Sequence, residues 1–336
     1  MVVNDLRKHF PLRRGLFGGA GSVVQAVDDV SFEVEDGETL GIVGESGCGK
    51  STTARLLMNL LEPDRGDVVL DGIRVGGPDG LARKELYRRL QMVFQDSYSS
   101  LNPRLPVALS IAFGLMAQGV PRGEALERAA VLLSRVGLDP VQFANRYGHE
   151  LSGGQRQRVN IARALALEPR VLILDEAVSA LDKSIEAQVL NLLVELKSAY
   201  ALTYIFISHD LNVVRYISDR VMVMYLGRVV EIAPVDELYR APRHPYTRAL
   251  LSAMPSMNPR RRTEDAPLTG DPPNPIDPPS GCRFRTRCPF AEAVCAHRSP
   301  SLGWHDDRPR GHLVACHMAD PTSGHSRADS SGGAHP

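Results

Sequence analysis

Gly44, Glu45, Ser46, Gly47, Cys48, Gly49, Lys50 and Ser51 follow the pattern G-x-x-x-x-G-K-S. Glycines let successive backbone N–H groups turn inward as an anion nest, and a helix starting at the end of the loop adds partial positive charge. A lysine at this spacing would reach the β- and γ-phosphates of a nucleotide, and the serine hydroxyl would ligate magnesium. The helix-like run from Thr52 to Leu61, stopped by Pro63, supplies the required context. Downstream, the apolar run Val171–Leu174 ends in Asp175 and Glu176. Asp175 suits the coordination sphere of Mg²⁺, and Glu176 is placed to orient or deprotonate an attacking water. Paired acids at a strand end also occur as solvated turn residues, so this pair gains weight only beside the glycine-rich loop. Ser152, Gly153, Gly154 and Gln155 open an amphipathic helix that runs to Leu167 before Pro169. Ser152 can cap it, and the two glycines admit close approach of another backbone. The bland reading is a capped helix; the sharper one is a second phosphate contact at a helix start.

Strands must hold these groups. Leu40–Val43, Met92–Phe94, Val171–Leu174 and Tyr204–Ile207 read as short buried strands, followed by Gly44, Gln95, Asp175 and, after Ser208, His209. Open parallel sheets bind ligands at the carboxyl ends of their strands, which gathers these residues on one rim. Val221–Tyr225 and Arg228–Glu231, joined through Leu226 and Gly227, form an expected hairpin away from it.

The chain has 336 residues, with 39 basic and 39 acidic side chains and zero formal net charge. That balance lacks the electrostatic footprint of a nucleic-acid binder. Met1–Phe10 shows no apolar leader, and no stretch approaches the ~18 consecutive apolar residues of a membrane span. The most apolar candidate, Val107–Val120, is broken by Ser110, Gln118 and glycines and reads as a partly buried helix. Composition divides the chain. Residues 1–254 alternate strand-like and helical patterns and read as an α/β domain, and residues 255–280 hold eight prolines and read as an extended linker. Residues 281–318 form a short Cys-rich module, and 319–336 read as a disordered tail.

Taken together, Gly44–Ser51, Gln95, Leu151–Gln155, Val171–Glu176, Ser179–Asp182 and His209 resemble the ATPase subunit of an ABC transporter, in order and in spacing. The resemblance covers about residues 1–254 and implies a P-loop NTPase core of α/β class with a helical subdomain at about 96–165. It implies that Phe10 stacks on adenine, although ordinary strand packing accounts for Phe10 equally well. It implies ATP contacts from Gly44 through Thr52, magnesium at Ser51, Gln95 and Asp175, and catalysis by Glu176 with Gln95 and His209. Ser152, Gly153, Gly154 and Gln155 would complete the site of a partner subunit, with Asp182 coupling the two sites. Ala177 departs from the family, which usually has proline after the catalytic acid; only a small stability effect is expected. Cys48 reads as a tolerated small residue inside the loop.

A narrower resemblance, at Gln95–Arg104 and at His244–Leu250, is to the ATPase subunits of oligopeptide, dipeptide and nickel importers, leaning toward the second of their paired ATPases. It implies a second, related ATPase or a second copy of this chain, two membrane-spanning permease subunits, an external solute-binding protein and a peripheral position on the cytoplasmic face of the membrane. Cys282, Cys288, Cys295 and Cys316 fit that family's C-terminal extension. Four thiolates can hold zinc or an iron–sulfur cluster, but these spacings match neither common zinc ribbons nor standard ferredoxin patterns. From the residues alone, a metal is favoured only modestly over unpaired structural thiols. The resemblance implies a [4Fe–4S] cluster, with zinc as the alternative.

Two other classes compete. A DNA-repair ABC ATPase would carry long coiled-coil insertions, whereas only about a hundred residues separate Lys50 from Leu151, without sustained heptads. A translation-type ATPase would carry two such cores, and one is present. An exporter would normally fuse membrane helices or lack the Cys-rich extension. Peptide is favoured over nickel as cargo by resemblance alone.

Overall fold

The computed structural model describes residues 1–12, 22–254, 273–304 and 311–328. The chain opens with β1 (Val2–Pro11) and β2 (Val23–Glu33), then β3 (Thr39–Val43), α1 (Lys50–Leu57), β4 (Arg65–Leu70) and β5 (Ile73–Arg74). After α2 (Arg83–Arg89) and β6 (Leu90–Val93) comes a helical excursion: α3 (Val107–Ala117), α4 (Arg122–Arg135), α5 (Pro140–Phe143) and α6 (Gly153–Leu165). The chain then returns through β7 (Val171–Asp175), α7 (Lys183–Tyr200), β8 (Thr203–Ile207), α8 (Leu211–Ile217), β9 (Arg220–Tyr225) and β10 (Arg228–Pro234). It closes with α9 (Val235–Arg240), α10 (Pro245–Ser252), α11 (Ala293–His297), β11 (Gly303–Trp304) and β12 (Leu313–Val314).

Among the described residues the strands form two sheets. The smaller, ordered β2-β1-β4-β5, is antiparallel. The larger runs β11-β12-β10-β9-β3-β8-β7-β6, with β9, β3, β8, β7 and β6 mutually parallel. A parallel strand is buried on both faces, so its sequence reads as a continuous apolar run. Successive residues nevertheless face opposite layers. Leu172, Leu174, Tyr204 and Phe206 join the core built with α3, α4, α6 and α7. Val171, Ile173, Ile205 and Ile207 join the core that holds α1 and the smaller sheet.

The four sequence-expected strands are present, with Phe94 left outside β6 and partly exposed. The helix after the glycine-rich loop ends at Leu57, short of Leu61, because Asn59 takes a left-handed φ of 52°. Val107–Val120 supplies α3, with Ile111, Ala112 and Leu115 buried and Phe113 exposed. Leu226 and Gly227, at φ 43° and 78°, make the two-residue turn of the expected hairpin.

One expectation changes at the C-terminus. Residues 319–328 are folded back on the module instead of forming a free tail: His325 is buried, its Nε2 2.9 Å from the Phe290 carbonyl, and the Ser326 N–H donates to Glu292 at 3.0 Å. The Ser, Asp and His side chains that make this stretch look unstructured are used here as local turn partners. The expected linker lies largely at 255–272, and the rest of the tail at 329–336, outside the described residues.

Candidate nucleotide site

Strand ends place the chemistry. β3, β6, β7 and β8 run parallel, so Gly44, Gln95, Asp175, Glu176 and His209 stand together at one edge of the sheet. A cavity of about 430 Å³ opens there, lined by Ser46, Gly47, Gly49, Lys50, Ser51, Thr52, Gln95, Glu176 and His209, together with Val24 and Ala26 of β2. Its size is that of a small-molecule site.

The loop follows from local rules. Gly49 holds φ 107° beside the Ala26 carbonyl, a conformation and a contact that any side chain would forbid. Lys50 is buried and its ammonium donates to the carbonyls of Gly44 at 2.7 Å and Glu45 at 3.1 Å, so its charge is fixed at the loop. The Ser51 hydroxyl donates to Asp175 Oδ1 at 3.1 Å. Burial raises the Asp175 carboxyl above its ordinary range, against the lowering effect of that hydrogen bond. Two hard oxygen donors therefore adjoin the phosphate loop, a donor set suited to magnesium.

Glu176 has φ 48°, which is unusual for a residue with a side chain. Its N–H donates to the Ile207 carbonyl at 2.9 Å, tying it to the next strand. Gln95 Nε2 donates to Glu176 Oε2 at 2.8 Å, and His209 Nδ1 lies 3.6 Å from the same oxygen. Strained backbone of this kind persists where the surrounding structure over-determines it, commonly at functional sites.

Other sequence-selected residues stand elsewhere. Glu45, Gly44 and Cys48 do not line the cavity. Cys48 is buried in the core beneath the loop, and burial raises its thiol pKa. Phe10 is not in the lining, but it sits opposite Val24, which is, and cross-strand partners share a face. The Ser152 hydroxyl accepts from the Gln155 N–H at 3.3 Å while Gln155 Oε1 accepts from the Ser152 N–H at 2.9 Å, a reciprocal cap. Ser152, Gly153, Gly154 and Gln155 are absent from the cavity wall, as is Asp182, the N-cap of α7.

Sequence reasoning missed several positioning groups. The Tyr246 hydroxyl accepts from the Glu45 N–H at 2.9 Å, and Arg287 Nη1 lies 2.9 Å from Glu45 Oε2. Tyr246 lies in the His244–Leu250 motif and Arg287 beside Cys288 in the C-terminal extension motif, but neither motif marked a contact with Glu45. Behind the loop, buried Asp28 gathers Arg283 at 2.6 Å, Arg228 at 2.7 Å and Arg7 at 3.0 Å. Its N–H donates to the Gly227 carbonyl, and the Gly227 N–H donates to the Cys48 carbonyl, both at 2.8 Å.

Cys282, Cys288, Cys295 and Cys316 line one cavity of about 10 Å³, together with Phe284 and His317. That is room for about one water molecule. Among the described residues no group of three or more His, Cys, Asp or Glu is arranged to hold a metal ion. Burial, reinforced by the neighbouring thiols, pushes Cys282 up to about 12 and Cys316 up to about 11, which favours thiol over thiolate. The iron–sulfur cluster expected for these residues is thus not supported: the four cysteines meet at one cavity, but among the described residues no ready ligand set is formed. All four are free of disulfides. No helix among the described residues is long and apolar enough to cross a membrane.

Residues 27–179 match the family model for the ABC transporter, and residues 230–295 match that for the oligopeptide/dipeptide transporter C-terminal region. The chain is 50% identical over 327 residues to a probable peptide ABC transporter ATP-binding protein of Sinorhizobium fredii, covering 96% of this chain and 91% of that one. It is 48% identical to the oligopeptide transport ATP-binding protein AppF of Bacillus subtilis, covering 95% of this chain and 97% of that one. Among solved structures it resembles cbiO1 of Clostridium perfringens, part of a cbiONQ transporter complex, at TM-score 0.60 and 29% identity, over 71% of this chain and 90% of that one. A dimeric ATP-binding cassette, MJ0796, bound to ADP and Pi, matches at TM-score 0.59 and 28% identity, over 70% of this chain and 98% of that one.

Proposed function

This chain belongs to the ABC transporter family, as an ATP-hydrolysing subunit of its peptide-import branch, and we propose that Glu176 is the carboxylate that activates water against the γ-phosphate. The observation that carries this reading is the strained Glu176 at the strand end, with Gln95 and His209 converging on its Oε2. Lys50 and the loop N–H groups bind the β- and γ-phosphates, and Ser51, Asp175 and Gln95 hold magnesium. The ion, when bound, neutralises charge that builds on the phosphate oxygens. His209 contacts the γ-phosphate, and Phe10 stacks on adenine from the side marked by Val24.

Ser152, Gly153, Gly154 and Gln155 serve a partner's nucleotide. Their absence from this chain's own cavity supports that reading, with Asp182 relaying between the sites. ATP thereby closes a pair of ATPases, this chain with a related one or with itself, and hydrolysis reopens it. The pair works with two permease subunits on the cytoplasmic face of the membrane, supplied by an external solute-binding protein. We assign residues 1–254 to the ATPase, with 96–165 as its helical subdomain and 281–318 as the Cys-rich module.

Peptide is the cargo favoured by both the C-terminal family match and the relatives' names; nickel is the alternative the sequence left open. The reading of the four cysteines as ligands of a [4Fe–4S] cluster, or of zinc, rests on their meeting at one cavity, and no step of hydrolysis runs through it.

Glu176→Gln tests the central assignment. The variant binds ATP, accumulates an ATP-bound dimer, and loses at least ~10²-fold in turnover. Wild-type steady-state hydrolysis by that variant would remove Glu176 from the catalytic role.

A further inference from the structure

We propose that the C-terminal module is a brace on the phosphate loop, with Arg287 and Tyr246 as positioning residues that set nucleotide affinity through Glu45. Glu45 is the second residue of the loop, yet it is absent from the wall of the cavity that the next residue, Ser46, lines, and its carboxylate is turned to Arg287. Arg287 Nη1 meets both of its carboxylate oxygens, at 3.1 and 2.9 Å, and the Arg287 side chain is only 6% exposed. The backbone N–H of Glu45 donates to the hydroxyl of Tyr246, which is itself fully buried. Tyr225 completes the support: its ring lies 4.6 Å from that of Tyr246, and its hydroxyl accepts from Arg287 at 3.5 Å.

These contacts span the chain. Arg287 lies beside Cys288 in the module, Tyr246 in α10, and Phe284 of the module packs edge-on against Tyr225 at 5.3 Å. A second strut reaches the floor of the loop. Arg283 pairs with Asp28 at 2.6 Å and also donates to the Leu226 carbonyl, in the turn whose Gly227 N–H holds the Cys48 carbonyl. The same module thus grips the loop from beside and from below.

The brace has an electrostatic consequence. An ATP or ADP in the cavity brings several negative charges to a loop that already carries the Glu45 carboxylate. Arg287 cancels that carboxylate. Without the guanidinium, Glu45 stands as an unpaired anion next to the phosphates, and of the two side chains that hold Glu45 only Tyr246 remains. The pair is neither exposed nor wholly buried, so loss of Arg287 weakens ADP binding by about tenfold, above the less than ~5-fold of a surface pair and well below the more than ~150-fold of a buried one. Tyr246→Phe removes one buried hydrogen bond and costs roughly fivefold.

The proposal rests on reading Gly44–Ser51 as the phosphate cradle, and the experiment separates the two. Dissociation constants for Mg·ADP are measured by calorimetry on the full chain, with Lys50→Ala as the test of the cradle. If Lys50→Ala binds ADP as tightly as wild type, the cradle reading fails and the brace with it. If Lys50→Ala abolishes binding, Arg287→Ala should raise the Kd about tenfold and Tyr246→Phe about fivefold. Arg298→Ala, which alters only contacts within the module, should leave it unchanged. The decisive variant is Glu45→Gln combined with Arg287→Ala, which removes the stranded anion and should restore the Kd to within about threefold of wild type. Damage to the module's folding would not be rescued in this way. An unchanged Kd in Arg287→Ala, or no rescue by Glu45→Gln, overturns the proposal. Should Arg287→Ala not fold, Arg287→Gln, which keeps much of the side-chain volume but removes the charge, and Tyr246→Phe carry the same test; a Kd unchanged in both overturns it.

Discussion

Asp28→Asn removes the anion on which three guanidiniums converge behind the phosphate loop. Asp28 is 5% exposed; Oδ2 takes Arg283 at 2.6 Å and Arg228 at 2.7 Å, and Oδ1 takes Arg7 at 3.0 Å. An amide at this place offers one acceptor in place of two and turns a donor toward cations. Breaking a buried ion pair costs about 3–5 kcal/mol. The Arg7 and Arg228 side chains are 35% and 28% exposed and can regain water, whereas that of Arg283, at 6%, cannot. The cost is therefore set mainly by Arg283 and falls near the bottom of the range, about 3 kcal/mol. In a protein of this size that lowers the melting temperature by roughly 4 °C. The pH dependence carries a second signature. Burial raises the Asp28 pKa, but Arg228, Arg283 and Arg7 outweigh it and hold the group below its ordinary 3.8. A depressed carboxyl contributes stability above the unfolded pKa and loses it as the pH falls through the folded one. The gap between wild type and Asp28→Asn should be constant from pH 7 to about 4 and shrink below that. Thermal melts of both proteins across this range, with Glu124→Gln as an exposed-pair control expected to shift by less than about 1 °C, decide the matter. A gap under about 1 kcal/mol at pH 7, or one that persists undiminished at pH 3, refutes the buried-hub argument.

His244 accepts the Tyr246 N–H at Nδ1, and burial lowers its pKa to about 4 from 6.5. The folded protein should therefore lose about 2 kcal/mol between pH 7 and pH 5, as the unfolded imidazole takes up protons first; His244→Asn should show a shallower slope in urea titrations. Gly49→Ala forces a side chain onto φ 107° against the Ala26 carbonyl and should abolish ADP binding in calorimetry; retained affinity would show the loop to be more pliant than its geometry. Cys48 is 3% exposed, so maleimide should label it slowly with or without ADP, at a rate that follows unfolding, as mass spectrometry of the loop peptide would report. Iron and acid-labile sulfide in the purified protein would establish a cluster at the four cysteines; stoichiometric zinc without iron would establish zinc, and neither would leave four packed thiols.

The phosphate chemistry was legible in one dimension because its parts are local. A glycine-rich turn, a lysine and a helix start occupy consecutive positions, and their backbone conformations follow from residue type. The same holds for the cap at Ser152 and for buried parallel strands, which announce themselves as apolar runs ending at Gly44, Gln95, Asp175 and His209. What brings those ends together is only the order of strands in the sheet, and no local pattern encodes which strand lies beside which. Position within a local motif also did not tell which way a side chain faces. Glu45 and Cys48 lie in the loop, yet one turns to Arg287 and the other into the core. The four cysteines resembled a metal site by type, and the fold brings them to one cavity, but among the described residues no ligand set stands ready. The brace was invisible in the sequence for the same reason: Glu45 and Arg287 are 242 positions apart, and a single ion pair at that separation leaves no periodicity to read. Sequence by itself marked the reaction class and the residues proposed to perform it; tertiary packing decided which groups hold them in place, because electrostatic partners are chosen by proximity in the folded chain.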